Sequence, residues 1–221
     1  MPKTYPRPEL VIFDCDGVLV DSERVFNAVL AEDLSSRGLA LTTEVSMTTF
    51  AGLAMPEVAT RARAMGATLP QNWIAEVYDT AYATLRRGVP LVPGVMDVIA
   101  RLDQEGIPSC VVSNGSEEKM QITLGPHGLW DRYHAGAMFS AHTLKVAKPD
   151  PGIFLAAATH FNVQARACVV IEDSNTGARG AARAGMQCFG YAAHDDGAAL
   201  AAEGAEVFHH MAELPHRLGL G

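Results

Sequence analysis

Five short β-rich runs punctuate this chain, at residues 10–13, 107–112, 137–139, 167–171 and 187–191, and amphipathic helical patterns separate most of them. Val95, Val98, Ile99 and Leu102 keep a helical period before Gly106, and Ile153, Phe154, Ala157 and Ala158 do so after Pro151, a favoured first-turn residue. Strands that alternate with helices pair in parallel, because each helix carries the chain back to the edge from which it left. The predicted fold is therefore α/β, a doubly wound parallel sheet of Rossmann-like type.

The rhythm breaks after the first run. From about residue 22 to about residue 91 no β-rich run occurs, and helical signals take over. Val25, Phe26, Val29, Leu30 and Leu34 form one apolar stripe that stops at Gly38, and further helices fit residues 55–65 and 71–87. Val92-Pro93-Gly94 then returns the chain to the alternating pattern. This predicts an α/β core built from residues 1–21 and 92–221, interrupted by a helical domain at residues 22–91.

The chain has 221 residues, 48% hydrophobic and 19% charged, enough apolar material for a substantial core. A formal net charge of −8 with no offsetting basic run argues against nucleic acid as a partner. An anionic ligand would need positive charge supplied locally. Residues 1–8 contain three prolines and no apolar h-region, so the expected location is cytoplasmic with no membrane association. The four cysteines, Cys15, Cys110, Cys168 and Cys188, lie in or beside strand-like runs without metal-site or disulfide spacing, as reduced packing residues do. No feature sets an oligomeric state, and a monomer satisfies the pattern.

Three of the β-rich runs end in polar groups: Phe13 leads to Asp14 and Asp16, Val112 to Ser113-Asn114-Gly115, and Ile171 to Glu172-Asp173-Ser174. The carboxyl ends of parallel strands line one crevice, so these residues would meet there. Lys148, just before Pro149-Asp150-Pro151, can bring positive charge to the same edge. Carboxylates, a hydroxyl, a lysine and oxygen-only metal ligands describe phosphoryl transfer better than a hydrolytic triad. Asp14 would be the nucleophile and Asp16 the group that protonates the leaving oxygen and then deprotonates water. Ser113 and nearby amides would hold the phosphate oxygens, with Asp173 and Glu172 completing a magnesium shell. Alone, the two aspartates could equally form a turn, or open a calcium loop were it not for the strand before them.

These motifs, in this order and over nearly the whole chain, resemble the haloacid dehalogenase superfamily in the helical-cap branch that includes sugar phosphatases and beta-phosphoglucomutase. Asp14-Cys15-Asp16-Gly17-Val18 matches its first motif, Ser113-Asn114-Gly115 the second, Lys148-Pro149 the third and Glu172-Asp173 the fourth. Val111 to Gly115, followed by Lys119-Met120-Gln121, is most similar to bacterial sugar phosphatases of that branch. The resemblance implies Mg2+ held by Asp14, the Asp16 carbonyl and Asp173, phosphate bound by Ser113, Asn114 and Lys148, and a small phosphorylated metabolite as substrate. It also implies that residues 22–91 are the cap that selects it.

Departures from the family narrow the choice. The mutase carries a histidine and an arginine in its cap where this chain has Phe26 and Met55, the latter within Gly52-Leu53-Ala54-Met55-Pro56, which favours hydrolysis over isomerisation. The dehalogenases lack the second aspartate, here Asp16. Phosphonate hydrolysis uses a cap lysine, and residues 22–91 contain none. A phospho-accepting signalling receiver shares the aspartate, lysine and acidic pair, but its domain has no large insert after the first strand.

Overall fold

The computed structural model describes residues 6–50, 53 and 55–220. Residues 1–5 of the proline-rich start, and Gly52 and Ala54 beside Met55, lie outside the described residues. The chain divides into two compact units: one runs to Val20 and resumes at Leu91, and the other is Asp21–Pro90.

The first unit is built on six parallel strands, β1 (Leu10–Phe13), β2 (Ser109–Ser113), β3 (Met138–Ser140), β4 (Cys168–Glu172), β5 (Gln187–Tyr191) and β6 (Glu206–Phe208), in the order β3-β2-β1-β4-β5-β6. The first three strands step outward from β1 in one direction and the last three in the other. The order thus reverses between β1 and β4, where an open parallel sheet forms its crevice.

Burial on both faces explains why the central strands are nearly all apolar. Leu10 and Ile12 join Cys110, Val112, Cys168 and Val170 in a core covered by Ile153, Phe154, Ala157 and Ala158 of helix Gly152–His160 and by Ala178 and Ala181 of helix Asn175–Arg183. Val11 and Phe13, pointing the other way, are also fully buried. All four cysteines are buried, and burial pushes the Cys168 thiol up to about 11.

The sheet has one strand more than the sequence pattern indicates. β6 is three residues long, too short to display an alternation. β2 also begins two residues later than the apolar run, for a clear reason: the Ile107 N–H closes the preceding helix on Leu102 O, and Pro108 has no N–H for a ladder.

The second unit is helical among its described residues: Ser22–Ser36, Thr43–Phe50, Met55–Ala64 and Trp73–Arg87. Leu30, Leu34, Phe50, Met55, Val58, Ala59, Ala62, Trp73 and Val77 form its core, with Phe26 partly buried against it. The Trp73 indole N–H donates to Asp33 Oδ2 at 2.5 Å, and Arg37 bridges Asp33 and Glu76 at 2.9 Å each. Helix Thr43–Phe50 was not visible in the sequence, since it buries only Ser46 and Phe50. No helix of the described residues is long and apolar enough to cross a membrane.

Candidate active site

The chain bends sharply where β1 ends. The Asp14 N–H still donates to Ile171 O of β4 at 2.9 Å, after which Leu19 and Val20 both donate to Cys15 O and fold the segment back. Gly17, at φ +79°, makes that turn possible, and a Cβ there would lie 1.7 Å from Asp173 Oδ2. Only a glycine lets the first loop approach the Asp173 carboxylate this closely. Cys15, between the two aspartates, is buried, and burial raises its thiol well above the ordinary range.

Lys148 is the centre of the site. Its ammonium bonds Asp14 Oδ1 and lies 2.5 Å from Glu172 Oε1, and its side chain is only 3% exposed. The ammonium also sits 5.5 Å from the centre of the Phe154 ring. Its backbone is fixed by Asn114, whose Oδ1 accepts from the Lys148 N–H at 2.8 Å while Nδ2 donates to the Lys148 C=O at 3.3 Å. The Lys148–Pro149 peptide is cis. Asn114 was expected to contact phosphate; its side chain is instead committed to the backbone of Lys148, which leaves its main-chain N–H as the group it can offer a ligand.

Glu172, with no exposed surface, is equally committed. Its Oε1 takes Lys148, while Oε2 accepts from the Asp173 N–H at 3.2 Å, the Ser174 N–H at 3.0 Å and the Ser174 hydroxyl at 2.8 Å. Ser174 in turn caps helix Asn175–Arg183. A Cβ on Gly177 in that helix would fall 1.9 Å from the Glu172 carboxyl carbon, so the helix packs directly onto it.

The second motif forms the opposite wall. Ser113, buried at the end of β2, accepts the Gly115 N–H on its Oγ at 2.9 Å. The Ser140 hydroxyl, at the end of β3, donates to Gly115 O at 2.8 Å and secures the loop. Asp16 reaches this wall, with Oδ2 2.7 Å from Lys119 Nζ. Sequence reasoning gave Ser140 and Lys119 no role. Ser140 had a signal in its place after the third β-rich run, and Lys119 in the Lys119-Met120-Gln121 stretch that follows the second motif.

Charge explains the electrostatics. Burial pushes Asp14 up to about 7 against the pull of Lys148, with Glu172 and Asp16 adding to the rise. Burial also works against the charge on Lys148, but Asp14 and Glu172 outweigh it and hold the ammonium above the ordinary lysine value. Asp14, Glu172 and Asp173 each bring one carboxylate oxygen within 4.8 Å of the others. Counting Asp16 and Lys119, four carboxylates face two ammonium groups. An oxygen-only donor set with that excess of negative charge fits a hard divalent cation.

A parallel sheet whose switch point carries this aspartate pair, serine, lysine and acidic pair defines a hydrolase of haloacid dehalogenase type. The haloacid dehalogenase-like hydrolase family model matches residues 8–185, and the chain belongs to that family. Among its relatives is the 6-phosphogluconate phosphatase of Escherichia coli, 30% identical over 95% of this chain and 94% of the relative. A haloacid dehalogenase-like protein of Agrobacterium tumefaciens superposes with a TM-score of 0.86 at 31% identity, over 96% of this chain and 98% of that one. A family hydrolase of Deinococcus radiodurans, solved with bound phosphate and sodium, superposes at 0.85 with 29% identity, over 97% of this chain and 96% of the other.

Proposed function

We propose that this protein is a magnesium-dependent phosphatase that hydrolyses a small phosphorylated metabolite, a sugar phosphate, through an aspartyl-phosphate on Asp14. The observation that carries this reading is the buried Lys148 ammonium bonded to Asp14 and Glu172 at the switch point of the sheet. The kinship with a 6-phosphogluconate phosphatase supports a phosphosugar as the substrate class.

Asp14 and Asp173, with the Asp16 carbonyl beside them, would hold the magnesium ion, which would keep Asp14 ionised and neutralise charge on the phosphoryl oxygens; Glu172, expected in the same shell, has both carboxylate oxygens engaged by Lys148 and the Ser174 turn. Lys148 supplies a fixed positive charge to the same oxygens, and the Ser113 hydroxyl and the Asn114 N–H orient them. An Asp14 oxygen attacks phosphorus as the bond to the ester oxygen breaks, and Asp16 gives that oxygen its proton. Water then attacks the same phosphorus and returns a proton to Asp16; the bond to Asp14 breaks and inorganic phosphate leaves. Glu172 acts through Lys148, fixing its ammonium.

Hydrolysis of a panel of phosphate esters, with magnesium or with chelator, tests this. Phosphate release from sugar phosphates that requires magnesium and vanishes in Asp14→Asn is expected. Turnover that survives that substitution, or chelation, would overturn the mechanism, and isomer formation outpacing phosphate release would make the protein a mutase.

A further inference from the structure

We infer that Lys119 is the positioning residue for Asp16, holding the proton-relay carboxylate against the wall formed by the second motif. The inference rests on the proposed phosphatase mechanism and extends it to a residue outside the four motifs.

Lys119 lies in the first turn of helix Glu117–Leu124, and that turn is fixed at its start: the Ser116 hydroxyl caps the helix by accepting the Lys119 N–H at 3.2 Å. Lower down, the Thr123 hydroxyl donates to Lys119 O at 3.1 Å. From this anchored backbone the side chain crosses Gly115. A Cβ on Gly115 would lie 3.2 Å from Ser113 Oγ, 3.6 Å from Lys119 Cδ and 3.7 Å from Asp16 Oδ2. The bare glycine is thus the shared floor on which the phosphate-binding serine, the lysine stem and the relay carboxylate converge. The stem ends with Nζ 2.7 Å from Asp16 Oδ2.

Stability does not account for this arrangement. The two side chains are 26% and 28% exposed, so water screens part of whatever the ion pair contributes to folding. What the pair does supply is geometry. Asp16 follows a tight turn, and a carboxylate that must serve an ester oxygen and then a water loses rate steeply when displaced by about 1 Å. Lys119 ties it to the same loop as Ser113, so the phosphate grip and the proton relay share one frame.

Pre-steady-state hydrolysis of p-nitrophenyl phosphate with magnesium tests this, because p-nitrophenolate departs without a proton while the aspartyl-phosphate still needs Asp16 to receive the proton from water. Lys119→Met should show a burst of about one p-nitrophenolate per active site, followed by a steady rate at least roughly tenfold below wild type. Lys119→Arg, which keeps charge and reach, should recover most of that rate. In an Asp16→Asn background, Lys119→Met should add no more than about a twofold loss. Burst and steady rate falling together, a multiplicative loss in the double variant, or unchanged turnover would overturn the inference while leaving the phosphatase mechanism standing. Acid quench of the wild type and of Lys119→Met reads that mechanism separately: the absence of protein-bound phosphate from both would overturn it, and this inference with it.

Discussion

The side chain of Asn114 holds the main chain of Lys148 at both ends, accepting from its N–H at 2.8 Å and donating to its C=O at 3.3 Å. A residue just past the end of β2 thereby fixes the backbone that carries the ammonium bonded to both Asp14 and Glu172.

Asn114→Ala should therefore lower kcat while leaving the fold intact. Two hydrogen bonds at about 1 kcal/mol each correspond to a loss of roughly tenfold to thirtyfold. Steady-state kinetics with a circular-dichroism melt checks this: an unchanged kcat would show that Lys148 keeps its place without the clamp.

Glu172→Ala leaves a buried ammonium with one carboxylate fewer. Breaking a buried pair costs about 3–5 kcal/mol, and at about 2–4 °C per kcal/mol for a chain of this size Tm should drop by roughly 6–20 °C. Glu172→Gln keeps the shape but offers one acceptor oxygen in place of two, so its amide NH2 faces either the Lys148 ammonium or the donors of the Ser174 turn, and it should lose stability as well. A drop confined to Glu172→Ala would mean that packing against Gly177, not the ion pair, sets the stability.

Gly17→Ala places a methyl group where Asp173 Oδ2 now lies. Displacing a carboxylate proposed to hold magnesium should raise the magnesium concentration for half-maximal activity by about tenfold or more. Gly106 shares the positive φ, at +67°, but a Cβ there meets nothing within 4 Å. Gly106→Ala should lose stability and keep the magnesium dependence of the wild type. If both variants shift the magnesium titration alike, backbone strain rather than the Asp173 collision is the cause.

Glu213 gives a pH dependence with a definite sign. Burial pushes its carboxyl up, but Arg217 and the N–H groups of His209 and His210 outweigh that, so its folded value is lowered. Its stabilising contribution is complete above the ordinary glutamate value of about 4.3 and is lost as pH falls through the lower folded value. Urea melts of wild type and Glu213→Gln should differ at pH 7 and draw together as pH falls below the ordinary glutamate value. A difference that does not shrink with falling pH would assign the effect to shape rather than charge.

The central strands and the four motifs were legible because β1, β2 and β4 are buried on both faces and each leads straight into polar residues. β6 was not, since Glu206–Phe208 is too short to alternate, nor was helix Thr43–Phe50, which buries two side chains. Within the site, the sequence located Asn114 and Glu172 but not what their side chains bind. Both act on Lys148 across 34 and 24 positions of sequence, a relation that only the folded sheet creates. The pairing of Lys119 was illegible for the same reason, since its partner Asp16 follows a different strand.

The joints of the inserted segment lie side by side: Val20 and Leu91 form an antiparallel bridge, Val92 N–H donates to Leu19 O, and Asp21 N–H donates to Pro90 O. A segment whose two ends are already neighbours closes like a loop whose length hardly matters to the host. Lengthening, trimming or exchanging residues between those joints requires no strand of the sheet to be re-threaded. What the sheet requires of the inserted segment is therefore a pair of ends that meet, whatever number of residues lies between them.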